Sequence, residues 1–290
     1  MYQFSVDELT VFIKLWTLFV AILGACIGSF LNVCIYRIPN NLSVVTPRSF
    51  CPQCRNPIPW YLNLPCISWL LLRGKSACCH RPIPIRYLLV ELVTAALFLF
   101  VWAAWCCPET LHLTPISSLP EVLVFWVILA SLLVAALIDL DTFILPDRFT
   151  LGGMLFGLVC SAIFPELHHA SVWWGGLICS VLGLAVGFGL FWLIGILGER
   201  LFHREALGFG DVKLMGAVGA CFGWKAIPFV LFVSAVSGCL LALVLLLRRK
   251  AGLRSAIPYG PHLVFATLVW MFWGEFLLGL YLTFALGIRS

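Results

Sequence analysis

The chain has 290 residues, of which 62% are hydrophobic and 11% charged, and its formal net charge is +5. A soluble domain is nearer half apolar and one-quarter charged, so this composition excludes one and leaves an integral membrane protein. The apolar runs are continuous rather than alternating, which predicts spanning helices and not a β-barrel.

A span takes about 20 apolar residues. Eight are predicted, at 9–34, 85–106, 121–138, 149–165, 172–197, 210–224, 226–247 and 262–285. The expected fold is therefore all-α: a polytopic membrane helix bundle of about eight transmembrane helices with an irregular cytoplasmic loop subdomain. The run at 210–224 is short and glycine-rich, so its exposure to lipid is in question. The expected division is an N-terminal tail and first helix at 1–36, a Cys-containing loop subdomain at 37–86, and a transmembrane core at 87–290. The first run lacks a basic start and leads straight into a large loop, unlike a cleaved signal peptide.

The N-terminal tail carries Asp7 and Glu8, whereas the loop from 37 to 86 carries seven basic residues and no acid. The excess of Lys and Arg on cytoplasmic loops places that loop inside and the N-terminus outside. Alternation then puts Arg148, Arg200, Arg204, Arg248, Arg249, Lys250 and Arg254 on the cytoplasmic side as well. The basic loop is read as a topology signal in contact with anionic lipid. No aromatic-interleaved soluble domain accompanies it, so no nucleic-acid partner is expected.

Within that loop, Cys51 and Cys54 form a C-x-x-C knuckle, a spacing that presents two thiolates to one tetrahedral zinc. A second pair has to come from the far end, where Cys78, Cys79 and His80 lie. A matching second knuckle needs Cys at position 76, and Ser76 stands there. Cys79 is the expected third ligand, and Cys78, His80 or Cys66 the fourth. A zinc here is structural, because nothing nearby offers an open coordination position. The cysteines inside the spans are read as small packing residues.

Residues 134–150 read VAALIDLDTFILPDRFT. Asp139 ends an apolar span. Asp141 lies about 200° further round the helix and cannot share its face. Pro146 and Asp147 fit the start of the next helix, where an acid complements exposed amide groups. Residues 207–216 read LGFGDVKLMG. Here Gly208 and Gly210 remove side-chain bulk and permit unusual backbone angles beside Asp211, so that an extended peptide can approach. Asp139 and Asp211 are thus two acids at one predicted depth on one membrane face. Each alone reads as an interfacial acid that faces water, a reading that weakens for the two jointly because polar positions within the spans are otherwise rare. Lys213, two residues after Asp211, points elsewhere on a helix and is expected to hydrogen-bond nearby backbone, with electrostatic tuning of the acids as the alternative. Glu91, in the second span, is read as an interhelical hydrogen-bond partner, with a role in substrate binding as the alternative.

These motifs carry a resemblance that runs nearly end to end. GSFLNVCIYRIP at 28–39, CPQC at 51–54, RYLLVEL at 86–92, IDLDTFILPD at 138–147, GFGDVKLMGAVGACFGW at 208–224 and IPYGPHL at 257–263 resemble, in order, the motifs of the type IV prepilin peptidases, bacterial inner-membrane GxGD aspartic proteases. The resemblance implies that Asp139 and Asp211 are the catalytic pair, with Gly208, Gly210, Lys213, Pro146 and Asp147 as motif companions, and makes 87–290 a protease core. It implies prepilin or pseudopilin substrates, each with a short basic leader before an apolar helix, cut on the cytoplasmic side, commonly after Gly. It also implies a second activity in many members, N-methylation of the new N-terminus with S-adenosylmethionine. No nucleotide-type site is visible in the sequence, and Ser76 departs from the family's four-cysteine set.

Three rival readings are weaker. A protease of the presenilin type needs Tyr-Asp and Pro-Ala-Leu motifs that are absent here. A small proton-coupled transporter using paired acids predicts acids at mid-membrane and an internal repeat. An inactive scaffold has no use for two intact aspartates.

Overall fold

A computed structural model of the chain describes residues 6–108, 113–116, 118–203, 207–248 and 257–286. Arg204, Arg249, Lys250 and Arg254, used above to orient the chain, lie outside the described residues, as do the side chains of Asp7 and Glu8. Among the described residues the regular structure is helical, as expected: α1 (Val6–Arg37), α2 (Ile67–Leu71), α3 (Arg86–Cys106), α4 (Leu119–Thr142), α5 (Asp147–Ile163), α6 (Trp173–Phe202), α7 (Phe209–Phe222), α8 (Ala226–Leu247) and α9 (Gly260–Leu286). Each of the eight predicted spans appears as a helix. Six of them, α1, α3, α4, α6, α8 and α9, are long and apolar enough to cross a membrane. The other two, α5 and α7, are shorter, at 17 and 14 residues.

The chain forms two compact units, Met1–Cys106 and Cys107–Ser290. In the first, α1 and α3 lie against each other where small residues allow it: a Cβ on Gly28 would stand 2.7 Å from the Cα of Glu91. Trp102 Nε1 donates to Thr17 Oγ1 at 3.1 Å and its ring stacks on Trp16. Between these helices runs the irregular subdomain, with a 3-10 turn at Trp60–Asn63, α2, and two tight turns described below. Its Pro-rich composition explains why no longer helix forms there.

In the second unit, α7 is enclosed. Every residue from Val212 to Cys221 except Lys213 is buried. The enclosure comes from small residues: Gly183 and Gly187 on α6, one turn apart, face Gly219 and Met215 on α7. A Cβ on Gly183 or Gly219 would collide with the other's carbonyl oxygen. This small-residue seam lets two backbones touch, the packing mode that suits a lipid-surrounded bundle. It also answers the question of lipid exposure, because α7 is a core helix. The outer faces of the long helices carry exposed apolar side chains such as Leu193, Phe232, Leu240 and Phe284. In water such a surface would aggregate; in a bilayer it is solvated. The chain is a multi-pass membrane protein.

Candidate active site

Asp139 lies in the last turn of α4. The helix stops four residues on, because Phe143 takes the left-handed conformation (φ 56°) and returns its N–H to the Asp139 carbonyl oxygen. Asp139 is buried and Asp141 exposed, as the helical geometry requires. The Asp139 carboxyl is held from a distant part of the chain: the backbone N–H of Gly260, opening α9, donates to Oδ2 at 3.0 Å. A Cβ on Gly260 would stand 2.6 Å from that oxygen.

Asp211 sits in the first turn of α7 and is also buried. Gly208 caps this helix at φ −65° and ψ 137°, an ordinary extended conformation. The expectation of unusual backbone angles there is therefore corrected: the glycines supply space. A Cβ on Gly208 would come within 3.2 Å of Asp211 Oδ2, and one on Gly210 within 2.9 Å of the Cβ of Leu145. Leu145 precedes Pro146 in the α4–α5 turn, so Gly210 lets the two aspartate-bearing segments close on each other.

The two aspartate-bearing segments meet at Gly210 and Leu145, and Asp211 lies within electrostatic reach of Asp139. Oδ1 of Asp211 is buried without a hydrogen-bond partner among the described residues. A buried carboxyl oxygen left so is destabilising by about 1–3 kcal/mol and calls for a functional reason. Tyr259 is close enough to feel the Asp211 charge, and its hydroxyl pairs with Ser234 Oγ at 2.8 Å. The start of α9 therefore addresses both acids. Residues Tyr259 and Gly260 carried no role in the sequence reading, although the IPYGPHL motif that contains them had stood out.

Lys213 departs from expectation. Its Nζ donates to Oδ1 of Asp147 at 2.6 Å and lies 5.0 Å over the Phe209 ring, so its partner is a side chain and not nearby backbone. Asp147 opens α5 as the acid of its first turn, and its side chain accepts from Lys213. Pro146, at φ −65°, is the N-cap. Glu91 is also corrected: it bonds no neighbouring helix, and its Oε2 accepts from the N–H of Cys66 at 2.7 Å.

In the first unit the cysteines form a second cluster. Residues 49–58 and 74–83 make the same turn twice. Cys51 N–H bonds Asn56 O and Arg55 N–H bonds Cys51 O; Ser76 N–H bonds Arg81 O and His80 N–H bonds Ser76 O. Arg55 and His80 are both left-handed, and each turn closes with an isolated bridge, Phe50 to Pro57 and Lys75 to Pro82. Ser76 thus occupies the place that Cys51 holds in the first turn. Cys78, inside the second turn, supplies the missing thiol: its Sγ lies 3.1 Å from Cys54 Sγ and 3.0 Å from Ser76 Oγ. The sulfurs of Cys51, Cys54, Cys78 and Cys79 all lie within 4.8 Å of one another. Ligand sulfurs on a tetrahedral zinc stand about 3.8 Å apart, so this donor set fits that ion. Cys66 and His80 are not members. Burial works to raise the Cys51 thiol pKa, but N–H donors of Cys54 and Gln53 and the Ser76 hydroxyl outweigh it and bring it to about 6. Asn56 N–H favours the Cys54 thiolate, yet the thiols beside it, Cys78 first, push that group up to about 12. One thiolate forms readily and the next resists, which is how clustered thiols behave until a cation joins them.

Comparison with known proteins agrees with this two-part arrangement. Residues 22–105 match the bacterial peptidase A24 N-terminal domain, and residues 126–243 match the type IV leader peptidase family. A prepilin leader peptidase/N-methyltransferase of Aeromonas hydrophila is 35% identical over 285 residues, covering 89% of this chain and 90% of that protein. Proteins of the same name from Myxococcus xanthus (39% over 248 residues; 83% of this chain, 67% of that one) and Pseudomonas putida (33% over 298 residues; 95% of each) are similar along most of their length. No solved structure matches the chain. With identity at this level along nearly the whole sequence, the chain belongs to the type IV leader peptidase family.

Proposed function

We propose that this chain is a membrane aspartic endopeptidase that removes the short basic leader from type IV prepilins or pseudopilins, and that it then N-methylates the new N-terminus. The observation that carries the first activity is the pair of buried acids, Asp139 at the end of α4 and Asp211 at the start of α7, with Asp211 within electrostatic reach of Asp139. One member of the pair is ionised and takes a proton from water as the water oxygen attacks the scissile carbonyl carbon. The protonated member donates to the carbonyl oxygen, so the charge that develops there is met by a fixed donor. When the tetrahedral adduct collapses, the leaving nitrogen takes a proton from the pair and the C–N bond breaks. The Gly260 N–H fixes the Asp139 carboxyl by one oxygen, so its orientation is set before substrate arrives.

The site is assigned to the cytoplasmic face of the bacterial inner membrane, with the N-terminus outside. The distribution of Lys and Arg along the chain supports this. Cys51, Cys54, Cys78 and Cys79 are assigned a structural zinc, which would tie the two turns of the loop subdomain together. For methylation, bound S-adenosylmethionine supplies an electrophilic methyl group to the α-amine. The names of the relatives support this second activity.

Co-expression with a prepilin, read out as a gel shift, tests the peptidase assignment. Wild type should convert the precursor. Asp139→Asn and Asp211→Asn should each leave it intact while the enzyme stays in the membrane at normal level. Conversion at near-normal rate by either variant would remove that aspartate from the reaction.

A further inference from the structure

A cleft of about 270 Å³ lies in the second unit between α4, α5 and α7. Neither aspartate lines it, and the peptidase mechanism leaves it without a use. We propose that this cleft seats the apolar segment of the substrate that directly follows the scissile bond, bound as a helix in a groove. The assignment rests on the endopeptidase half of the reading above.

The chemistry of the wall fixes the kind of occupant. Apart from Ser131 and Arg148, the cleft is lined by apolar side chains and glycine. A space so lined offers water no partners and takes apolar groups instead. Arg148 belongs to the first turn of α5, next to Asp147, which holds Lys213 of α7. The one charged group of the wall therefore stands at the end nearest Asp211. A helix is about 10 Å across, far more than the cleft encloses, so the occupant inserts one face and leaves the other to lipid.

Position identifies that occupant. On α4 the lining residues Ile128, Leu132 and Ala135 are spaced by four and three, and one further step of four reaches Asp139. On α7 the lining residues Cys221, Val218 and Leu214 are spaced by three and four, and one further step of three reaches Asp211. Residues at these spacings share a helix face. Two walls of the cleft are thus stripes that end at the two acids. Ile128 stands 11 residues from Asp139, and Phe222 stands 11 from Asp211, about 16 Å of helix in each case. A substrate helix lying along both stripes emerges at the catalytic pair with its first peptide bonds presented to it. A lipid chain in the same cleft gains nothing by ending there.

The third wall, α5, is cut back to receive a helix. Gly153 brings α5 close to α7, since a Cβ there would stand 3.1 Å from the Cβ of Ala217. Gly152 does the reverse: it is exposed, and a Cβ on it would meet nothing within 4 Å. The missing side chain keeps the cleft open, as small residues do where one helix lies on another in lipid. Large apolar side chains at helical spacing on the substrate are the anchors such a groove reads.

The test uses the full chain in nanodiscs and a purified prepilin with its complete apolar segment. Cleavage kinetics are compared for wild type, Gly152→Ala and Gly152→Phe. The alanine methyl fits the open space and should leave KM within about twofold of wild type. The phenylalanine ring fills the cleft and should raise KM about tenfold, the loss of a seat for one large apolar side chain, with kcat little changed. In parallel, a prepilin carrying benzoylphenylalanine about two helical turns past the scissile bond is photolysed on the Asp211→Asn chain, which should hold substrate uncut. Crosslinks should fall within 128–135, 148–156 or 214–222. A wild-type KM for Gly152→Phe, a fall in its kcat alone, or crosslinks confined to other helices or to lipid would each overturn the assignment and leave the endopeptidase reading standing. If wild type leaves the prepilin uncut, that reading fails and the groove assignment fails with it.

Discussion

Gly260 donates its backbone N–H to the carboxylate of Asp139 across 121 positions of sequence, at 3.0 Å. No side chain fits between them, because a Cβ at position 260 would stand 2.6 Å from the accepting oxygen. Gly260→Ala should therefore turn the Asp139 carboxyl away from its present orientation without unfolding α9. A displacement of about 1 Å at a reacting group can slow turnover by about a hundredfold. The expected result is a fall in kcat of at least about tenfold with KM little changed, measured on a purified prepilin. A variant with wild-type kcat would show that this hydrogen bond does not position the acid.

The turn that follows α4 is fastened to α7 twice, by Leu145 against Gly210 and by Asp147 with Lys213. The two fastenings should differ in weight. The Lys213–Asp147 pair is largely open to solvent on the Asp147 side, and exposed pairs contribute about 0.2–1 kcal/mol. A double-mutant cycle with Lys213→Met and Asp147→Asn should give a coupling within that range, weakened by salt. Gly210→Ala should be more damaging, since overpacking a tight contact is destabilising by about 1–3 kcal/mol. Thermal unfolding in detergent gives both numbers. A salt-independent coupling well above 1 kcal/mol would show the pair to be a buried clamp.

Much of this arrangement was legible in the sequence, and its limits are instructive. The eight apolar runs became helices because periodic burial and length are local properties. Asp139 and Asp211 were legible because acids at the ends of apolar runs are rare. The partners of these residues were not. Lys213 reaches Asp147, and Gly260 reaches Asp139, through helix packing that no local pattern encodes. The likeness of the Ser76 and Cys51 turns was hidden because Ser76 broke the cysteine spacing while the backbone pattern persisted.

The position of Cys78 makes a direct prediction about metal. If it replaces the thiol that Ser76 lacks, the two positions should be exchangeable. Cys78→Ser should lose most bound zinc, whereas Ser76→Cys combined with Cys78→Ser should recover it, because the thiol returns to the place equivalent to Cys51. Zinc per chain, measured by mass spectrometry of the purified protein, decides this. Equal zinc in wild type and Cys78→Ser would exclude Cys78 as a ligand.

His168 gives the last prediction, on stability. It ends the 3-10 turn Pro165–His168, and its Nε2 lies 2.8 Å from Ser161 Oγ, whose own proton is directed to Gly157 O. Burial pushes the imidazole below its ordinary pKa against the opposing hydrogen bond to the Ala220 backbone, and neighbouring His169 adds to the lowering. The folded protein thus holds His168 neutral, while the unfolded chain protonates it near pH 6.5. Between the two values the unfolded state binds the extra proton, so stability rises with pH. The contribution is complete above about pH 6.5 and is lost as pH falls below it, until the folded-state value is passed. His168→Gln keeps a polar partner for Ser161 and removes the titration. Its unfolding temperature in detergent should therefore fall less than that of wild type between pH 7.5 and 5.5. Equal shifts in the two proteins would mean that this imidazole charges without penalty inside the fold.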